Sequence, residues 1–182
     1  MKNIRKITSL LLILAAALWM CSCGASKEEP KNRLEEIKAR GYIEGCTEPY
    51  FAPNEFIDSS KTGQDQYVGY DMELAKYIAD EIGVELRIVP LEFSAVLVGI
   101  AEGKYDLAIS ALAYSPARAE AIAMSKGYWF GGDGYGFMIR EEDKGKIETI
   151  DDLKNVVVVT QSGSVQEAMY NLYVGSSKEF KL

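Results

Sequence analysis

The sequence predicts an α/β fold with parallel strand pairing, and three observations carry that reading. Apolar residues recur at helical spacing in "GYDMELAKYIADEIG", which ends in glycine. "VELRIVP" instead alternates apolar and charged residues, the period of a half-buried strand. Along the chain the two patterns take turns as strand, helix, strand, helix, strand, the order of a parallel sheet with helical crossovers.

The elements are justified in order. Residues 1–23 predict a processing signal rather than a fold. "MKNIRK" is basic, and the apolar run 7–20 is shorter than the roughly 20 residues that span a bilayer, which favours a signal peptide over an anchor. The run ends in "WMCSCGASKEEPKN" and resembles a bacterial lipoprotein signal, whose cysteine becomes the lipidated, palmitate-bearing first residue of the mature chain. Cys23 fits that position better than Cys21, because Ser22 before it is small and Met20 is bulky. Ordinary signal-peptidase cleavage with incidental cysteines is the alternative. Residues 24–33 then form a short polar tether.

"RLEEIKARG" predicts a short helix stopped by Gly41, and "YIEGC" a first strand. Cys46 at its end reads as a small buried residue. With Cys21 removed and Cys23 lipidated, it has no disulfide partner. In the clearest helix Ala75, Ile78, Ala79 and Ile82 share a face, Asp71 and Glu73 suit the N-terminus, and Gly83 closes it. "VELRIVP" turns Val84, Leu86 and Ile88 inward, "FSAVLVGIAEG" predicts a helix with Leu97, Ile100 and Ala101 on one face, and "DLAIS" a third strand. "GYWFGGDGYG" changes texture and reads as a crossover. Beyond it, "YGFMIR" predicts an extended run, "TIDDLKN" a short helix, "VVVVT" a fully buried strand and "QSGSVQEAMYNLY" a further helix.

Composition removes several functions. The net charge of −7 becomes three units more negative without Lys2, Arg5 and Lys6, so nucleic acid is not an expected partner. The chain has no histidine, which excludes a histidine triad, a histidine metal site and a histidine pH switch. No metal or cofactor is expected.

One residue asks for a ligand. Ser115 and Pro116 read as an N-cap and first helical residue, so Arg118 falls in the first turn, where a cation is disfavoured. "AISALAYSPAR" and "VVVVTQSGSVQE" share one device: a strand, a short turn and a helix N-terminus offering free N–H groups to an anion. A carboxylate forked by Arg118 explains its place; solvation, or pairing with Glu120 or Glu92, is the alternative.

"GYIEGCTEPYFAPNEF", "YVGYDMELAKYIADEIGVE", "FSAVLVGIAEGKYDLAISALAYSPAR" and "DDLKNVVVVTQSGSVQE" resemble, in this order, the bacterial polar amino acid ABC-transporter solute-binding proteins. The resemblance implies a two-lobe, periplasmic-binding-protein-like (type II) α/β fold: lobe one over 34–130, a hinge at 131–136 and a partial lobe two over 137–182. It implies that Arg118 forks onto an α-carboxylate. Ala111 and Ala113 stand where the family often has a hydroxyl, leaving only their backbone groups. Phe51 and Phe93 match the walls around the ligand side chain, with core packing as the other reading of each. Glu48 matches an acid that faces a distal cation in basic-amino-acid binders, or is a solvated loop acid. Ser164 and the N–H groups of Val165 and Gln166 match the second-lobe clamp, Ser162 and Gly163 shape its turn, and Gln161 lies at a polar contact.

The family's α-amino-binding aspartate comes later than Leu182, so the resemblance implies a truncated chain with an incomplete, weakly stable second lobe. Function follows as extracytoplasmic capture of an amino acid and delivery to an ABC permease by a lipid-anchored monomer, not an enzyme. A ligand-sensing module of a larger receptor, a domain fused to a lytic transglycosylase, and a cyclohexadienyl dehydratase-like lyase using Glu48 are the alternatives.

Overall fold

The computed structural model describes residues 32–131 and 134–174. The expected signal segment with Cys23, most of the expected tether, two residues of the expected hinge and 175–182 lie outside them. The chain divides into units 1–36 and 37–182, and apart from the first turn of α1 everything below concerns the second.

Helix α1 (Arg33–Arg40) stops at Gly41, whose φ of 81° only glycine adopts at no steric cost. Strand β1 (Tyr42–Thr47) follows as the centre of a parallel sheet. β5 (Glu85–Pro90) pairs with β1 on one side, in register from Tyr42↔Glu85 to Thr47↔Pro90. β6 (Leu107–Ala108) flanks the other side, with Gly45 opposite Leu107. Parallel neighbours need crossovers. α2 (Tyr70–Ile82) supplies the first and α3 (Phe93–Ala101) the second.

α2 meets the sheet through Met72, Ala75 and Ala79, with Ile88 and Ile109 in one cluster and Ile37 and Ile43 in the other. Ile78 and Ile82 are half-buried on its flank, and Gly83 caps it in the left-handed region with its N–H on Ala79 and Asp80. On α3 the buried face is Phe93, Val96 and Gly99, with Leu97 and Ile100 beside it and Ala101 exposed. The expected stripe is thus rotated, because Gly99 lies against the Tyr105 ring and draws that side inward.

A second sheet was not legible in the sequence. β2 (Tyr50–Phe51), β3 (Glu55–Ile57) and β4 (Tyr67–Val68) form an antiparallel meander between β1 and α2. Strands of two or three residues carry too little alternation to be read.

After residue 136 the described chain contains no paired strand. "YGFMIR" has no ladder partner among the described residues. "TIDDLKN" forms a 3-10 turn over Ile150–Asn155, closed by a Thr149–Asp152 capping box. The expected strand "VVVVT" is not one: Val157 and Val159 are 93% and 91% exposed. An apolar strand is buried only when packed layers cover both its faces, and no described segment covers Val157 and Val159 here. Only Val158 turns inward, against Leu153, Tyr170 and Val174. Helix α5 (Val165–Tyr173) completes this small cluster. No described helix is long and apolar enough to cross a membrane.

Candidate ligand-binding site

Short α4 (Pro116–Ala121) begins as expected: Ser115 Oγ accepts the Arg118 N–H at 3.2 Å, and Pro116 opens the helix. The Arg118 guanidinium is half-buried and meets no carboxylate among the described residues. It donates to the Ala113 carbonyl at 2.7 Å and to the Gly163 carbonyl at 2.9 Å, and lies 5.6 Å from the Phe93 ring centre. Burial lowers its pKa from the ordinary arginine value, and Tyr135 opposes that shift. A guanidinium has five N–H donors, so two carbonyls leave capacity for a carboxylate.

Across from it, Ser164 caps α5 by accepting the Glu167 N–H at 3.0 Å. The Val165 and Gln166 N–H groups are therefore left at the helix mouth, as first-turn donors are. Gly163 makes the turn with φ 77°, and a side chain there would press on Leu97 at 3.2 Å. Its N–H goes to the Glu167 carboxylate at 2.7 Å while its carbonyl holds Arg118. The turn before α4 and the turn before α5 thus meet at one peptide. A second link ties the segment before α5 to the segment after β1: Gln161 Nε2 donates to the Glu48 carboxylate.

Phe93 is buried beside Arg118, whereas Phe51, at the end of β2, is 57% exposed. Ala111 has φ 47°, a left-handed conformation that costs a non-glycine residue about 1–2 kcal/mol. Its N–H donates to Asp71 Oδ2 at 2.7 Å.

That contact leads to a buried polar cluster that sequence reasoning missed. Asp71, Glu55, Ser110 and Thr47 are all buried. The Tyr128 hydroxyl lies 3.0 Å from both Asp71 oxygens. The Glu48 N–H donates to Ser110 Oγ, which donates to Glu55 Oε1, each at 3.0 Å. Glu55 Oε2 and Thr47 Oγ1 have no hydrogen-bond partner among the described residues. Burial pushes the Glu55 carboxyl up to about 8, against the Ser110 hydrogen bond and with the help of Asp71 and Glu48; burial and Asp71 also push the Tyr128 phenol upwards. A carboxyl whose value is raised by folding contributes stability that is fully present below its unfolded value. That stabilisation is lost as the pH rises through about 8. The thermal midpoint is therefore expected to fall between about pH 5 and about pH 9, and to fall less in Glu55→Gln; equal slopes would contradict it.

Cys46 is fully buried, and burial pushes its thiol up to about 11, so it is an inert core residue. No group of metal-binding side chains occurs among the described residues.

The family profile of bacterial extracellular solute-binding proteins, family 3, matches residues 43–174. The arginine-binding extracellular protein ArtP of Bacillus subtilis is 30% identical over 160 residues, 87% of this chain and 57% of that protein. Membrane-bound lytic murein transglycosylase F of Aeromonas hydrophila is 29% identical over 162 residues, 88% of this chain and 31% of that protein. Among solved structures, an amino acid ABC transporter substrate-binding protein from Streptococcus pneumoniae bound to L-arginine superposes with TM-score 0.68 at 31% identity, covering 79% of this chain and 59% of that one. The chain thus spans little more than half the length of the first and third, and under a third of the second.

Proposed function

The chain belongs to the bacterial extracellular solute-binding proteins, family 3, and from that premise we propose that it captures an amino acid, with a preference for a cationic one, between the Arg118 loop and the N-terminus of α5. The observation that carries the reading is Arg118 itself. It is a half-buried cation without a carboxylate partner among the described residues, held by two carbonyls at the point where two helix N-termini converge. An α-carboxylate placed there meets the fork of Arg118 and the N–H groups of Val165 and Gln166. Phe93 supplies an apolar wall, and exposed Phe51 closes against the ligand side chain from the other lobe-one loop.

Glu48 is the basis for the cationic preference. Glu48 is a half-buried residue whose carboxylate meets the neutral amide of Gln161 in an exposed contact, so a ligand ammonium or guanidinium gains a charge-assisted contact. Both arginine-linked relatives support this choice of ligand. Glu48→Gln is expected to weaken L-arginine binding about tenfold while leaving a neutral amino acid almost unaffected. Calorimetric titration of the two ligands checks it, and equal loss for both contradicts the assignment.

The wider reading is an extracytoplasmic receptor, lipidated at Cys23, working as a monomer and passing its ligand to an ABC permease. Its lobes divide at 34–130 and 137–182, with 131–136 as hinge; Gly134 there has φ 80°. The action is binding rather than catalysis. A likeness that covers under a third of a transglycosylase does not carry that enzyme's activity to this chain. The test is thermal shift of the protein against the twenty amino acids. A ligand at one hundred times its dissociation constant adds about 2.7 kcal/mol. A shift with arginine or lysine supports the reading, and a clean melt unmoved by all twenty contradicts it.

A further inference from the structure

We propose that Glu55 and Asp71 form a proton-dependent pair that positions the ligand loop: protonated Glu55 donates to the Asp71 carboxylate, and Asp71 in turn fixes the Ala111 N–H. Glu55 and Asp71 are positioning residues, because neither belongs to the proposed ligand contacts. The inference rests on the amino-acid reading only for its consequence in affinity.

The geometry leads there step by step. Ala111 is held at φ 47°, a conformation that needs an outside restraint, and Asp71 Oδ2 supplies it at 2.7 Å. Asp71 is fully buried and comes from α2, not from the loop. Next to it stands Glu55 from β3, only 1% exposed: the Asp71 N–H donates to the carbonyl of Asn54, the residue before Glu55, at 3.0 Å, and Asp71 is among the groups that act on the Glu55 carboxyl. Its Oε1 is occupied by the Ser110 hydroxyl, and its Oε2 has no hydrogen-bond partner among the described residues. Two carboxylates cannot both be ionised at such a place without strong repulsion. A proton on Oε2 removes the repulsion and gives that orphan oxygen an acceptor in Asp71.

The groups facing the pair agree. Asp71 and Glu48 are the charged neighbours of Glu55, and both favour its neutral form. Tyr128, from the crossover, presents its hydroxyl to both Asp71 oxygens and remains a neutral donor. No cation among the described residues is set against the pair, so nothing there compensates a second negative charge. When Glu55 ionises, repulsion moves Asp71 off the Ala111 N–H, and the loop carrying Ala113 and Arg118 loses its anchor.

The test uses two readouts on the whole protein and on Glu55→Gln, whose amide keeps the donor but cannot titrate. The first is the Ala111 amide resonance without ligand. It is expected to titrate near pH 8 in the natural protein and stay flat in Glu55→Gln. A flat natural profile, or the same titration in both, overturns the pair. The second is L-arginine affinity from about pH 7 to about pH 9, on either side of that transition. Titration of the ligand's own amino group affects both proteins equally, so the comparison cancels it. The natural protein is expected to lose about tenfold more affinity than Glu55→Gln. Parallel losses overturn the link to binding. If the natural protein binds arginine at no pH, the arginine assignment fails instead, and the Ala111 titration then decides the pair alone.

Discussion

Arg118→Ala is expected to lower amino acid affinity by at least about 30-fold, the cost of truncating one side of a desolvated charge pair. Without ligand, the guanidinium rests on carbonyls at 2.7 and 2.9 Å, which neutralise no charge. A bound carboxylate therefore supplies the first full counter-charge, while the Phe93 ring already covers one side. Arg118→Lys keeps the charge and loses the planar fork, so it is expected to fall between the natural protein and alanine. Fold stability should change little in either variant, since among the described residues the half-buried side chain gives the fold two hydrogen bonds to carbonyls and a ring contact with Phe93. Calorimetric titration with L-arginine reads the affinity, and natural-strength binding by Arg118→Ala would place the ligand elsewhere.

The largest stability effect is expected at Gly69. It has φ 122°, where a side chain is strained whatever the space, and a Cβ there would collide with the backbone carbonyls of Asn54 and Pro53. Those carbonyls accept the N–H groups of Asp71 and Tyr70, at 3.0 and 3.3 Å, so they cannot retreat without unseating the start of α2. Gly69→Ala is expected to cost about 3 kcal/mol or more, from strain and collision together. Gly41 is the comparison. Its φ is 81° but nothing lies within 4 Å of the added Cβ. Gly41→Ala should cost about 1 kcal/mol, from backbone strain alone. Urea unfolding of the two variants distinguishes the contributions. Equal midpoints would mean that the close approach at Gly69 carries no energy.

Legibility followed the range of each signal. α2 and β5 were readable because Ala75, Ala79, Leu86 and Ile88 repeat their period over whole elements, with Gly83 between them. Arg118 was readable because Ser115 and Pro116 fix its helix turn locally. The face of α3 was misread because its orientation depends on Tyr105 packing over Gly99, a contact outside the helix. "VVVVT" was misread because burial of a strand belongs to its neighbours, not to its own residues. Asp71 was visible only as an acid suited to a helix start, although its carboxylate reaches Ala111, 40 residues later. Glu55 gave no signal at all: "PNEFID" holds nothing unusual, and the role arises from Ser110, Asp71 and Glu48 meeting it in space.

The measurement that bears most directly on carboxylate capture at Arg118 is calorimetric titration of the protein with L-arginine and, in parallel, with agmatine. Agmatine keeps the guanidinium and the apolar chain but lacks the carboxylate. The account predicts saturable arginine binding and agmatine binding weaker by at least about 30-fold, a difference that disappears in Arg118→Ala. Equal affinity for the two ligands in the natural protein would contradict it.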